Sequence, residues 1–153
     1  MYKVGVFPGK FLPPHRGHLS AIMNARTRCE KLYVVVSYNE ELENQLCDES
    51  SMKRIPMLDR VRWLSIELSG IDNVVVIGME ERGVPVFPNG WELWCSILNR
   101  TIPESFDVIF GSDVEYSLNG YTTYFPEVKY EICDQDRSLF PISATEIRSN
   151  PYK

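Results

Sequence analysis

The sequence predicts an α/β fold: a parallel sheet of about five strands with helices on both faces. Three observations lead there. Continuously apolar runs such as Leu32-Tyr33-Val34-Val35-Val36 and Val74-Val75-Val76-Ile77 are the pattern of strands buried on both faces. Segments with apolar residues at helical spacing lie between them. Strands that alternate with helices in this way build a parallel sheet whose crossovers pack on its two faces.

The first strand is expected over Lys3 to Phe7, followed by a Gly/Pro-rich loop. A helix runs from about Gly17 to Cys29, its apolar positions Leu19, Ile22 and Met23 at helical spacing. Leu32 to Ser37 is the second strand. Tyr38 to Lys53 reads as a long loop, and Glu40, Glu41, Glu43, Asp48 and Glu49 make it a solvated, acidic excursion or a mobile flap near the site. Pro56 to Ser69 is a helix whose residues Met57, Val61, Leu64 and Leu68 form one apolar face, with Pro56 suited to its first turn. Trp63 beside that face reads as core, while Arg60 and Arg62 read as surface arginines, solvated or salt-bridged. Asn73 to Met79 is the third strand, fully buried by its pattern. Glu81 to Asn89 is a loop, Gly90 to about Arg100 a helix, Asp107 to Phe110 a fourth strand and Val128 to Cys133 a fifth. A last short helix follows Ile142.

The chain has 153 residues, which suits one domain over 1–153. No run approaches the length of a membrane span, and the N-terminus enters a strand directly, so a cytoplasmic protein is expected. Cys29, Cys47, Cys95 and Cys133 lie far apart with no C-x-x-C pair, the usage of unpaired thiols rather than a zinc site. The net charge of −5 argues against long nucleic acid as a partner. A small anion needs only local positive charge, which Lys10, His15, Arg16 and His18 supply.

That cluster is the first motif, Gly9-Lys10-Phe11-Leu12-Pro13-Pro14-His15-Arg16-Gly17-His18. Gly9 lets backbone approach a ligand closely. If Gly17 opens the helix, both histidines lie near a helix N-terminus, where partial positive charge and free N–H groups favour an anion. The second motif is Ile142-Ser143-Ala144-Thr145-Glu146-Ile147-Arg148. Ser143 and Glu146 form a capping box, and Arg148 offers a planar fork suited to phosphate oxygens. In sheets of this kind ligands bind beyond the carboxyl ends of the strands, where the strand order reverses.

Together the two motifs resemble the H-x-G-H and I-S-x-T-x-x-R signatures of the nucleotidylyltransferase superfamily. Gly9-Lys10-Phe11, Met52-Lys53-Arg54-Ile55-Pro56, Asp59-Arg60-Val61-Arg62-Trp63, Pro88-Asn89-Gly90-Trp91 and Ile147-Arg148-Ser149-Asn150-Pro151 further resemble the adenylyltransferase domain of the NadR family. The resemblance implies a Rossmann-like fold of the H-x-G-H nucleotidylyltransferase type. It implies a nicotinamide-nucleotide adenylyltransferase, joining ATP to nicotinamide mononucleotide with release of pyrophosphate and NAD. NadR proteins usually continue into a kinase domain. No G-x-x-x-x-G-K-S/T loop occurs here, so the sequence reads as a stand-alone enzyme or a piece of a bifunctional one. A homo-oligomer stays open.

The resemblance also assigns roles. Lys10, His15, His18 and Arg148 would be catalytic, the histidines on the triphosphate, Lys10 between α-phosphate and acceptor, Arg148 on the β- and γ-phosphates. Phe7, Gly9, Gly17, Gly111, Asp113, Ile142, Ser143 and Thr145 would contact ATP, with Gly111-Ser112-Asp113 matching the superfamily's G-x-D turn near the adenosine. Asn89 and Trp91 would bind the acceptor, since a cationic nicotinamide ring gains from an indole face. Mg²⁺ is expected on the triphosphate, with no protein ligand named. The rival readings are the same chemistry on pantetheine phosphate, FMN or a CTP-dependent acceptor, and a nucleotide-sensing module without catalysis. A class I synthetase-like fragment would need more chain than one domain provides.

Overall fold

The computed structural model describes residues 1–11, 16–39, 43, 55–81, 91–111 and 124–133. Its elements are β1 (Tyr2–Gly9), α1 (Arg16–Arg26), β2 (Cys29–Tyr38), α2 (Met57–Glu67), β3 (Val74–Glu80), α3 (Trp91–Thr101), β4 (Val108–Gly111) and β5 (Lys129–Ile132). The five strands form one sheet in the order β3-β2-β1-β4-β5, and every neighbouring pair is parallel. The expected α/β architecture is therefore present, with the strand order reversing between β1 and β4. The expected helix after Ile142 lies outside the described residues.

The period-two alternation of the strands divides the core into two layers. On one face Leu32, Val34 and Val36 of β2 join Phe7, Val108 and Phe110 beneath Ala21, Ile22 and Ala25 of α1 and Leu64 of α2. On the other, Tyr33 and Val35 join Val4, Val6 and Ile109 beneath Cys95 and Leu98 of α3. The α2 face expected from Met57, Val61, Leu64 and Leu68 packs against the first of these layers.

Four expectations need correction. The helix after the first loop stops at Arg26, not Cys29, because Thr27 folds back to donate from Oγ1 to the Asn24 carbonyl (2.7 Å) and Cys29 already pairs with Tyr2 in the sheet. β3 is not fully buried: it is an edge strand of this sheet, and Val75 is 37% exposed. Trp63 is 39% exposed rather than core, because it projects from α2 away from the stripe that Leu64 buries. Arg60 shows the reverse error, since it is fully buried.

Candidate functional site

Gly9 ends β1 and Gly111 ends β4, so both stand at the carboxyl edge beside the reversal of strand order, where α/β sheets bind ligands. The backbone is bare at both places for a steric reason. A Cβ on Gly9 would lie 3.1 Å from two ring atoms of Phe11. A Cβ on Gly111 would overlap the Tyr130 hydroxyl and sit 2.9 Å from that ring's Cζ.

Phe11 makes the turn out of the sheet. Its φ is 52°, a left-handed conformation uncommon for a bulky residue and costly by roughly 1–3 kcal/mol. Packing over-determines it. The ring is 2% exposed, stacks on Phe7 at 6.3 Å and meets His18 edge-on at 4.7 Å. Thus one core side chain fixes both the exit from β1 and the imidazole in the first turn of α1. That first turn carries no acidic residue, which leaves its partial positive charge uncompensated by its own sequence.

Lys10 is held at two points. Its carbonyl accepts from Arg60 Nη1 at 2.8 Å, and its ammonium lies 3.5 Å from Glu81 Oε2. The side chain crosses the end of β2 to reach Glu81, which follows β3 directly. Glu81 Oε1 accepts from Trp94 Nε1 of α3 at 2.5 Å.

Behind this row lies a buried ion pair. Arg60 Nη2 donates to Glu43 Oε1 at 2.5 Å, and both side chains are 0% exposed. Two charges out of water persist where each has its counter-charge and further polar contacts. Glu43 Oε2 accepts from the Asn39 amide at 2.8 Å, and the Arg60 guanidinium stands 5.8 Å from the Tyr38 ring centroid. Glu43, expected to be solvated with its acidic neighbours, is instead a buried counter-charge.

Of the expected site residues, the structure brings Gly9, Lys10, Gly17 and His18 to the β1–α1 junction. Gly111 stands at the end of β4, the strand next to β1. The Phe7 side chain is part of the core at 7% exposure, so contact with a nucleotide would fall to its backbone. Trp91 opens α3, the helix that carries Trp94. His15, Asn89, Asp113, Ile142, Ser143, Thr145 and Arg148 lie outside the described residues.

Sequence reasoning missed Phe11, Glu43, Arg60, Glu81 and Trp94 as parts of this site. Only Arg60 left a usable signal. It stands three residues after Met57 and four before Leu64, inside the apolar stripe of α2. A charged residue in such a stripe requires a buried partner.

Comparison with known proteins places this geometry. A family model described as cytidylyltransferase-like matches residues 6–150. The trifunctional NAD biosynthesis/regulator protein NadR of Escherichia coli (strain K12) is 27% identical over 154 residues, covering 98% of this chain and 37% of that protein. The phosphopantetheine adenylyltransferase of Mycoplasma mycoides subsp. mycoides SC is 31% identical over 150 residues, covering 95% of this chain and 94% of the relative. A NadR protein solved in complex with NAD and AMP-PNP superposes with a TM-score of 0.67 at 26% identity, covering 99% of this chain and 43% of that one. The chain thus spans less than half of the NadR proteins it matches, and nearly all of the phosphopantetheine enzyme. From the family match over residues 6–150 and the parallel sheet with its reversal at Gly9 and Gly111, the chain belongs to the cytidylyltransferase-like family of nucleotidyltransferases.

Proposed function

We propose that this chain transfers the adenylyl group of ATP to nicotinamide mononucleotide, giving NAD and pyrophosphate. The observation that carries the reading is the Lys10–Glu81–Trp94 row at the carboxyl edge of the sheet. It sets the Lys10 ammonium beside the helix that bears two tryptophans, Trp91 and Trp94. A phosphorylated acceptor with a cationic aromatic ring suits that combination, because an indole face attracts a cation and an ammonium attracts a phosphate. Similarity over nearly the whole chain to a NAD biosynthesis/regulator protein is in keeping with a nicotinamide acceptor.

In the proposed reaction an acceptor phosphate oxygen attacks the α-phosphorus of ATP, and the bond to the bridging oxygen breaks to release pyrophosphate. No protein nucleophile is needed; positioning and charge stabilisation carry the rate. Lys10 would hold the attacking phosphate against the α-phosphate. His18, with His15, would steady the charge that builds on the triphosphate as pyrophosphate leaves, and Arg148 would hold the departing β- and γ-phosphates. Gly9, Gly17 and Gly111 would let backbone approach the nucleotide, and Phe7 would offer only main chain. Ile142, Ser143, Thr145 and Asp113 would complete the ATP contacts, and Asn89 with Trp91 the acceptor pocket.

Among the described residues no three His, Cys, Asp or Glu side chains converge. Glu81 and Glu43 are already engaged by Lys10, Trp94, Arg60 and Asn39. A Mg²⁺ is proposed to arrive on the triphosphate with water in its other positions, where it would supply charge neutralisation. Among the described residues no helix is long and apolar enough to cross a membrane.

Transfer to pantetheine phosphate is the second reading, favoured by the 31% identity that runs along almost the full length of the Mycoplasma enzyme. Pyrophosphate release measured with ATP and each acceptor in turn decides between them. Turnover is expected with nicotinamide mononucleotide, and turnover with pantetheine phosphate alone would transfer the assignment. His18→Ala should lower that turnover by about 10²-fold or more while leaving the thermal transition in place, the range expected when one group stabilising developing charge is removed.

A further inference from the structure

We propose that Glu81 is a positioning residue for nucleotidyl transfer: it holds the Lys10 ammonium over the carboxyl ends of the strands, and Trp94 in turn holds Glu81. The inference rests on the reading of the chain as a working nucleotidyltransferase. It assigns a role to two residues that no phosphate-binding motif contains.

Glu81 is a carboxylate at only 7% exposure, and a carboxylate so placed must have partners for both oxygens. Each has one: Oε2 faces Lys10 Nζ at 3.5 Å, and Oε1 accepts from Trp94 Nε1 at 2.5 Å. The carboxylate also has a fixed base. The Glu81 amide donates to the Tyr38 carbonyl at 2.7 Å, continuing the β2–β3 ladder one step past Tyr38↔Glu80. Glu81 is therefore mounted on the sheet, and sites mounted on strands are held more closely than sites on loops.

Lys10 is the opposite kind of residue. Its four-carbon stem would sample many rotamers at a strand end left alone. Here the Arg60 guanidinium fixes its carbonyl and Glu81 fixes its ammonium, so the stem is restrained at both ends. An ammonium has three N–H donors. Glu81 occupies one of them, and the side chain keeps 27% of its surface exposed. Among the described residues no other acceptor is recorded for the ammonium, which leaves donors for a group proposed to bridge the attacking and the attacked phosphate. Preorganising that cation before substrate arrives lowers the reorganisation needed in the transition state.

The test is a double-mutant cycle on steady-state turnover, using Glu81→Gln, Lys10→Met and the two combined. Glutamine keeps the size and its amide oxygen can still accept from Trp94, while its NH₂ group, a donor, takes the place of the oxygen that faced the Lys10 ammonium, so the anchor of Lys10 is lost. Glu81→Gln should lower kcat about tenfold with KM for ATP changed less than about twofold, and should have almost no effect once Lys10 is methionine, because residues acting as a unit are non-additive. Losses that multiply in the double variant would overturn the proposal, showing that Glu81 acts independently of Lys10. A rise in kcat for Glu81→Gln would overturn it as well, showing that the pair withholds Lys10 from substrate. If Glu81→Gln does not fold, Trp94→Phe replaces it in the cycle and is read by the same criterion. Failure of the unaltered chain to turn over any acceptor would sink the nucleotidyl-transfer reading itself, and is seen before any variant is made.

Discussion

Arg60 and Glu43 put two charges at 0% exposure behind the residue proposed to bridge the substrates. Burying such a pair is costly, and removing one member strands the other. Arg60→Met or Glu43→Gln should therefore cost about 3–5 kcal/mol, read from urea unfolding, the range for breaking a buried pair. The double variant Arg60→Met/Glu43→Gln should be less destabilised than the sum of the two, because no uncompensated charge remains. Fully additive losses would mean that the pair is not coupled. This residue scale is also where sequence was least legible. The placement of Lys10, Gly9 and His18 could be read because strand, glycine and helix start follow in order. Glu81 could not, since a glutamate after an apolar strand is an ordinary strand end, and its partner Trp94 stands 13 positions further on. Nothing local announces the left-handed backbone of Phe11, which tertiary packing imposes.

At the scale of elements, the strands were legible from their apolar runs and the helices from their stripes, with boundaries off by a few residues. Burial of β3 was not, because an apolar run does not reveal whether a strand will be central or at an edge. The short β5 shows how an edge element is fastened. Its Glu131 accepts from Tyr2 Oη at 2.7 Å and from Arg28 Nη1 at 2.7 Å, joining β5 to the start of β1 and the turn before β2. The Tyr2 hydrogen bond first, and then Arg28, hold the Glu131 carboxyl below its ordinary value of 4.5. A depressed carboxyl contributes stability that is present above the unfolded value and is lost as pH falls through the folded one. Glu131→Gln should accordingly be less stable than the parent at pH 7, with the gap closing as pH drops below about 4, the unfolded carboxylate range. Denaturant melts across that interval check it, and a gap independent of pH would show that the charge is not what fastens β5.

For the molecule as a whole, the two core layers enclose the described thiols. Cys29, Cys95 and Cys133 are all buried. Burial pushes the Cys95 thiol up to about 12 and raises Cys29 as well. At pH 8 only about one Cys95 in 10⁴ would be thiolate, the reactive form. An aromatic disulfide reagent should modify these three at the rate of whole-molecule opening, slowing as the protein is stabilised by ligand. Prompt modification of any of them in the native protein, located by peptide mapping, would contradict the packing. Strand order also belongs to this scale, and alternation alone predicted a parallel sheet without stating which strand stands at its centre. The central strand is β1, and it leaves the sheet through Phe11, whose ring is shared between the core and His18. The placement of His18, proposed as a catalytic group, and the hydrophobic packing therefore lean on one aromatic ring. Heating cannot loosen the first without disturbing the second, so the temperature profile of lost activity should overlay that of lost tertiary structure, with no cooler interval in which a folded chain is idle.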